Sequence, residues 1–197
     1  IAYIRGGTYR SGKSAATDVQ CRFSNLNGTV TDSIKIMAYP GEKPILNLND
    51  VLHTGSDVYG FYLQNSKYVS IKGLRITGLA QNPSGNVIYG FIIENSNNCR
   101  IELVEVDNIG GQGFFSFNSN DILYKNCDVH HLDDRYSSYA WNGSNGFSAT
   151  GGGNTSTRNT YDGCRAWWIS DDGWDFFGTD GFFTIKNCWS FWNGYQP

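Results

Sequence analysis

Short runs of alternating apolar and polar residues recur along this chain, separated by residues that favour turns. The stretches "YGFYLQ" at residues 59–64 and "YGFIIE" at residues 89–94 show the pattern. Alternation with a period of two is typical of brief β-strands, and helical periodicity is nearly absent. The pattern therefore predicts an all-β protein in which many short strands are joined by tight turns.

The strands belong to an internal repeat in which a glycine precedes an aromatic residue. Five such segments begin at Gly60, Gly90, Gly113, Gly146 and Gly173, at steps of 30, 23, 33 and 27 residues. These irregular periods suit a parallel β-helix, because its turns can lengthen without disturbing the stacked strands. A propeller would need four strands per repeat. We predict a parallel β-helix (solenoid) that forms a single domain over residues 1–197.

The register of the repeat predicts which side chains face the interior. A large ring repeated at one position on stacked strands belongs inside. The residues after the glycines should form this aromatic ladder: Phe61, Phe91, Phe114, Phe147 and Trp174.

Two further rows follow from the same register. One row, fourteen residues after the glycine or slightly more, mixes aliphatic residues with cysteines: Leu74, Val104, Cys127, Cys164 and Cys188. We interpret these cysteines as small buried hydrophobes rather than as disulfide partners. The other row lies at a turn and contains Asn65, Asn95 and Asn118. Stacked asparagines of this kind can hydrogen-bond along the helix axis.

Acidic residues gather where the repeat faces outward. The positions just before each glycine and two residues after it should point away from the core, which puts Asp172 directly above Asn145, about 4.8 Å away. Asp171 and Asp175 flank this pair. Carboxylate and amide oxygens are the ligands that Ca²⁺ prefers, and no Cys or His shares the outward register here. "DDG" is also an ordinary turn sequence. The third aspartate and the stacked asparagine favour a calcium site formed by Asn145, Asp171, Asp172 and Asp175.

Charge and hydropathy limit the partners. The net charge is −3 and lysine and arginine form no run, which argues against binding to nucleic acid. No apolar run reaches the roughly 18 residues that span a bilayer, so no membrane segment is expected. An acidic ligand would need a cation to bridge it to this chain.

A long insertion over residues 130–144 comes directly before Asn145. Such a loop could wall a substrate groove, with Tyr139 and Trp141 as stacking faces for sugar rings. Arg135 and Arg165 could hold substrate carboxylates or could pair with nearby aspartates. His130 and His131, taken as loop residues without an established carboxylate partner, are interpreted as structural.

The segments "NCDVHHLDD", "GCRAWWISDDGWD" and "IKNCWSFWNG" resemble the pectate lyases of polysaccharide lyase family 9. The resemblance implies a right-handed parallel β-helix and a secreted, calcium-dependent enzyme that cleaves polygalacturonate, an acidic polysaccharide, by β-elimination. Three of the family's four calcium aspartates map onto Asp171, Asp172 and Asp175. The fourth belongs to an "ADGF" motif where this chain reads "SNGF", so Asn145 stands in its place and weaker calcium binding is expected.

The resemblance also locates the family's Brønsted base, a lysine on a coil beyond "NCWSFWNG". No residue of this chain inherits that role, and we expect a fragment that lacks C-terminal coils. Lys186 is interpreted as a solvated repeat lysine, because Lys72 and Lys125 occupy similar positions. The alternative function is a non-catalytic β-helix that binds glycans or stacks end to end into an extracellular fibre.

Overall fold

The computed structural model describes residues 1–11, 19–51, 57–83, 87–138, 140–150 and 156–195. Within these ranges the chain forms twenty β-strands and no helix. Consistent with this, no helix in the described ranges could cross a membrane.

The strands, numbered in chain order, alternate among three sheets. Sheet 1 contains β1 (Ala2–Ile4), β4 (Ile34–Ala38), β7 (Val69–Lys72), β10 (Arg100–Glu102), β13 (Leu123–Lys125), β16 (Asn159–Asp162) and β19 (Phe183–Lys186). Sheet 2 contains β2 (Gly7–Arg10), β5 (Pro44–Asn47), β8 (Arg75–Leu79), β11 (Glu105–Ile109), β14 (Asp128–Leu132), β17 (Arg165–Ile169) and β20 (Trp189–Phe191). Sheet 3 contains β3 (Val19–Ser24), β6 (Val58–Gln64), β9 (Ile88–Glu94), β12 (Gln112–Phe117), β15 (Phe147–Thr150) and β18 (Trp174–Asp175).

Each strand pairs in parallel with the strand three places along the chain, as β6 does with β9 and β14 with β17. One strand from each sheet makes one coil, and the next coil lies directly on it. The chain is therefore a parallel β-helix, as predicted.

The predicted aromatic ladder forms the centre of the core. Phe61 pairs with Phe91, Phe91 with Phe114, Phe114 with Phe147, and Phe147 with Trp174. Successive ring centroids are 4.7, 5.5, 4.9 and 5.1 Å apart. The four phenylalanines are at most 1% exposed. Burying a ring of this size contributes about 1.5–3 kcal/mol, so the ladder is a main source of stability.

The repeated glycines are required by close contact between coils. A Cβ added to Gly60, Gly113 or Gly146 would lie 2.6 Å from the carbonyl oxygen of the equivalent glycine on the next coil. Real Cβ atoms do not approach backbone so closely. The repeat therefore begins with glycine because the chain turns inward there against its neighbour.

The cysteine row is buried as predicted at two of its three cysteines. Cys127 and Cys164 are 0% exposed, whereas Cys188 is half-buried. These three occupy the positions that Leu74 and Val104 fill on earlier coils. All five cysteines of the chain are free thiols, so the interpretation against disulfides agrees with the structure.

The asparagine row does lie at a turn, and its members share a left-handed backbone. Asn65, Asn95 and Asn118 have φ of 49°, 48° and 47°. Asparagine tolerates this conformation better than most residues. An axial amide hydrogen bond is present in a neighbouring row, where Asn120 Nδ2 donates to Asn97 Oδ1 at 3.2 Å.

The lysine positions form part of a charge ladder on the outer face of sheet 1. Lys72, Glu102, Lys125, Asp162 and Lys186 pair in sequence on successive strands. Opposite charges therefore alternate along the axis, with Lys72 Nζ 2.9 Å from Glu102 Oε1. Lys186 lies in this ladder, 3.5 Å from Asp162 Oδ2, which agrees with its interpretation as a repeat lysine.

Candidate active site

The candidate site lies where two consecutive coils enter sheet 3. On one coil, the segment after β14 leads through Asn145 into β15. On the next coil, the turn after β17 carries Asp171 and Asp172 into β18, which contains Asp175. Gly146 N–H donates to the Asp172 carbonyl at 2.9 Å, so the two coils are already in β-register at this point.

Asn145 makes the central contacts. Its Nδ2 donates to Asp175 Oδ2 at 2.8 Å, and its Oδ1 accepts from the Asp172 N–H at 3.2 Å. The predicted proximity of Asn145 to Asp172 and Asp175 is thus present. The side chain is only 3% exposed, because these partners cover it. The amide links both aspartates across the coil boundary.

Asp175 is held from both sides. Its Oδ1 accepts from the Phe177 N–H at 2.7 Å, while its Oδ2 accepts from Asn145. These bonds fix the orientation of the carboxylate before any ligand arrives. The local reason is its position at the end of β18, where the free N–H groups of the following turn need acceptors.

A further carboxylate, which the sequence reasoning missed, lies beside this group. Asp134 is 1% exposed, and its Oδ1 accepts from Ser170 Oγ at 3.1 Å. Its Oδ2 is buried without a hydrogen-bond partner. Asp134 follows β14 inside the irregular insertion, so the register of the repeat does not extend to it. We call Asp134, Asn145, Asp171, Asp172 and Asp175 the acidic corner.

The electrostatics of the acidic corner are unfavourable to an unaided cluster of negative charge. Burial, together with the charges of Asp172, Asp134 and Asp175, raises the pKa of Asp171 to about 6. Like charges and desolvation both disfavour the ionised form of a carboxyl group. The ionised form of Asp171 is therefore disfavoured unless a cation compensates the charges around it.

In the described part of the chain, the group of three His, Cys, Asp or Glu side chains whose ligand atoms come within 4.8 Å of one another lies elsewhere, and no three carboxylates of the acidic corner approach one another so closely. Oxygens of Glu105 and Asp107 and a nitrogen of His130 lie within 4.8 Å of one another on sheet 2. Asp107 is 0% exposed, but Arg75 Nε and Nη2 donate to its two oxygens at 2.7 and 3.0 Å. Thr77 donates to it as well. An arginine already neutralises this cluster, so its residues do not fit a cation site.

Both arginines predicted to bind substrate, Arg135 and Arg165, form ion pairs with aspartates. Arg135 donates to Asp133 at 3.2 and 2.6 Å, and its guanidinium lies 5.5 Å from the Trp141 ring centroid. Arg165 donates to Asp128 at 2.7 and 2.5 Å on the outer face of sheet 2. The pairing with aspartates that the sequence left open is therefore observed. Tyr139 lies outside the described residues, and substrate binding by all four side chains stays a prediction.

His130 and His131 belong to β14, so the prediction that they lie in a loop was wrong. His130 Nε2 is 3.3 Å from Glu105 Oε1, and its ring stacks on Trp167 with centroids 4.3 Å apart. The strand continues to Leu132 because these rings pack on the outer face of sheet 2. The irregular insertion is correspondingly shorter than the sequence suggested.

The outer face of sheet 3 carries aromatic rings that lead toward the acidic corner. Tyr59 and Tyr89 stack with centroids 5.1 Å apart, and Tyr89 lies 5.1 Å from Phe115. These side chains share their outward rows with Asn145, Asp172 and Asp175, as predicted. Pointing away from the core does not leave every member of these rows open to solvent, since Tyr62 is only 6% exposed under neighbouring side chains.

Together these features define the class of protein, a three-sheet parallel β-helix with an oxygen-rich acidic corner. The sequence profile described as "Pel9A-like, right handed beta helix region" matches residues 1–197. The chain therefore belongs to the Pel9A-like right-handed β-helix family. The resemblance to polysaccharide lyase family 9 is confirmed.

Individual relatives agree with this assignment. Pectate lyase L of Dickeya chrysanthemi is 31% identical over 146 residues, which cover 69% of this chain and 29% of that protein. A solved rhamnogalacturonan lyase superposes with a TM-score of 0.79 at 27% identity, over 99% of this chain and 50% of that one. Pectate lyase Pel9A, at 22% identity and a TM-score of 0.72, supports the fold over 98% of this chain and 46% of its own. The chain thus spans half or less of the length of these relatives.

Proposed function

We propose that this chain is the β-helix of a secreted, calcium-dependent lyase that cleaves pectin-like polyuronates such as polygalacturonate by β-elimination. The observation that carries the proposal is the acidic corner, where Asn145 on one coil contacts Asp172 and Asp175 on the next. The names of the relatives support the substrate class, since they are lyases of pectate and rhamnogalacturonan. The activity is proposed for the whole protein, because the relatives are at least twice as long as the matched region.

The residues of the corner fit a calcium ion. The side-chain atoms of the corner that could bind a cation are all oxygens, which suit a hard ion such as Ca²⁺. Asp134 Oδ2 is one of them, and it is buried without a hydrogen bond. Asp171, Asp172 and Asp175, with Asn145, would hold the ion. When bound, calcium would bridge the acidic corner to a substrate carboxylate and stabilise negative charge that develops beside that carboxylate.

The chain's own residues orient this site. Asn145 ties the Asp172 backbone to the Asp175 carboxylate, and Phe177 N–H holds the second oxygen of Asp175. These bonds hold Asn145 and Asp175 in place before a cation binds. Because the pKa of Asp171 is raised to about 6, its carboxylate is fully ionised only above that pH. We therefore expect function at neutral to alkaline pH.

The outer face of sheet 3 supplies a path for the polymer. The row that runs through Tyr59, Tyr89 and Gln112 continues to Asn145 and Asp172 on the following coils. Four inter-strand steps of about 4.8 Å make this row about 19 Å long. Aromatic faces pack well against sugar rings, so we propose that the chain of uronates lies along this row with one carboxylate at the acidic corner.

In β-elimination, a base takes the proton from C5 of the uronate, and the bond from C4 to the leaving oxygen breaks. The product contains a new C4–C5 double bond conjugated to the carboxylate, which absorbs ultraviolet light. No residue of the described chain is assigned as the base. Lys186 points into the sheet 1 charge ladder, away from the corner, and the lysine that the family resemblance implies lies beyond "NCWSFWNG".

The test uses the protein with polygalacturonate and calcium at alkaline pH. We expect ultraviolet absorbance to rise, and the rise to stop with a chelator or with Asp172→Asn. Asp128→Asn is the matched control, since it removes an equal charge from a residue that pairs with Arg165 on sheet 2. No product from a protein that binds both calcium and polymer would refute the lyase proposal.

One observation favours the alternative, a non-catalytic β-helix that binds glycans or assembles outside the cell. Asn145 gives the corner an amide in place of a carboxylate, and the amide hydrogen-bonds Asp175 without any cation. Such a protein would be retained on immobilised polygalacturonate but would release no unsaturated product. End-to-end stacking would appear as concentration-dependent growth in sedimentation velocity.

A further inference from the structure

We propose that Asp134 completes the cation site of the acidic corner, supplying from the insertion the carboxylate that Asn145 does not provide. This inference rests on the proposed calcium-dependent function and deepens it. It assigns a residue outside the repeat register to the site.

The position of Asp134 is fixed by the coil that carries the acidic turn. It follows β14, and Ser170, the residue before Asp171, donates its hydroxyl to Asp134 Oδ1 at 3.1 Å. Ser170 N–H also donates to the Leu132 carbonyl at 3.0 Å. These two bonds attach the start of the insertion to the turn that holds Asp171. Asp134 is therefore a fixed neighbour of the corner.

The second oxygen of Asp134 is available for a ligand. Oδ2 is buried and accepts no hydrogen bond, and Asp134 as a whole is only 1% exposed. Oδ2 lies against the backbone of Gly143, where an added Cβ would come within 2.9 Å of it. The charge of Asp134 contributes to the raised pKa of Asp171, which places it within electrostatic reach of the corner. A buried, unpaired carboxylate is costly unless it is protonated or meets a cation.

Asp134 differs from the other deeply buried carboxylate in how its charge is compensated. Among the described residues, Asp107 and Asp134 are the two carboxylates buried below 2% exposure. Asp107 is neutralised by Arg75 through both oxygens. Asp134 accepts one hydroxyl hydrogen bond, has no cationic partner in the described part of the chain, and lies close enough to Asp171 for its charge to act on that carboxyl group. Arg75 therefore compensates the buried charge of Asp107, and a bound cation would compensate that of Asp134.

The experiment compares Asp134→Asn with the wild-type chain by calcium titration calorimetry and by thermal unfolding, with and without chelator. We expect calcium affinity to fall at least about tenfold, the loss that removing even an outer carboxylate causes at metal sites. In chelator, Asp134→Asn should be at least as stable as wild type, because it removes charge repulsion and its Oδ1 can still accept from Ser170. Asp133→Asn is the matched control: it changes the charge one residue away, at a side chain paired with Arg135, and should keep wild-type affinity.

A double substitution adds a second readout. Asn145→Asp in the Asp134→Asn background restores the number of carboxylates at the corner, so it should recover calcium affinity. Unchanged affinity in Asp134→Asn, or an equal loss of stability with and without calcium, would assign Asp134 a purely structural role and overturn the inference. A wild-type protein that does not bind calcium would instead remove the proposed function itself, and the wild-type titration identifies that case before any variant is compared.

Discussion

Replacing Asn145 by aspartate should convert a hydrogen bond into a repulsion that calcium reverses. In the wild-type chain, Asn145 Nδ2 donates to Asp175 Oδ2 at 2.8 Å. Asn145→Asp removes this donor and places a second carboxylate beside the first. Without calcium we expect the variant to be less stable than wild type, and with calcium we expect it to bind the ion more tightly.

The magnitude follows from that distance. A hydrogen bond to a charged group contributes about 1.5–3 kcal/mol. Two unit charges separated by the observed 2.8 Å repel by about 1.5 kcal/mol in the dielectric of water and by about 6 kcal/mol at an effective dielectric constant of about 20. The side chains can move apart and one carboxyl can take up a proton. We therefore expect a loss of about 2–4 kcal/mol in the free energy of unfolding at neutral pH in chelator.

Urea unfolding in chelator and in saturating calcium measures both effects, and calorimetry gives the affinity. Asn187→Asp is a close geometric control, because Asn187 Nδ2 donates to Asp162 Oδ1 at 2.9 Å on the exposed face of sheet 1, with Lys186 beside it. Its loss should be about 1 kcal/mol or less and should not depend on calcium. Equal stability of Asn145→Asp and wild type in chelator, or equal calcium affinity, would refute this account of the corner.

Three further predictions test the corner and the core. The pKa of Asp171 is raised from 3.8 to about 6 in the folded chain, so between these values the native state binds more protons than the unfolded state, and stability in chelator should fall as pH rises through that window. Asp171→Asn should abolish this fall when unfolding is measured as a function of pH, and an unchanged profile would contradict the prediction. Phe114→Ala should cost about 3–5 kcal/mol in urea unfolding and outward-facing Phe115→Ala distinctly less, because Phe114 packs between two ladder rings; similar losses would contradict the ladder. Ellman's reagent should label the half-buried Cys188 in the native chain. It should label Cys99 only after unfolding, because burial raises the pKa of that thiol to about 11, and rapid labelling of Cys99 in the native chain would refute its burial.

The sequence was sufficient to predict the parallel β-helix because the repeat carries its own register. Each glycine is followed by an aromatic residue that must face inward, and Phe147 does pair with Trp174. Once that pair is aligned, the relative positions of Asn145 and Asp172 follow from β-geometry alone. This part of the candidate site needed no information beyond residue spacing.

The sequence could not place the residues that depend on irregular backbone. Asp134 has no equivalent in the repeat, and its burial arises from contacts between the insertion and Ser170. The end of β14 was also misplaced, since packing of His130 on Trp167 extends the strand into a region whose composition suggested a loop. The low exposure of Tyr62 on the outer face of sheet 3 also lies beyond what residue spacing indicates, because side chains on neighbouring strands cover each other there.

The architecture explains how carboxylates can be assembled despite their mutual repulsion. The stack of Phe147 on Trp174, with centroids 5.1 Å apart, and the close approach of Gly146 to Gly173 determine how the two coils meet. These contacts are apolar or involve backbone, so the charges of the corner do not alter them. The free energy of core burial therefore holds Asp172 and Asp175 beside Asn145 whether or not a cation is bound. Because the backbone positions are set in advance, a cation that binds there would need to move only side chains and not the coils that carry them, which lowers the cost of binding.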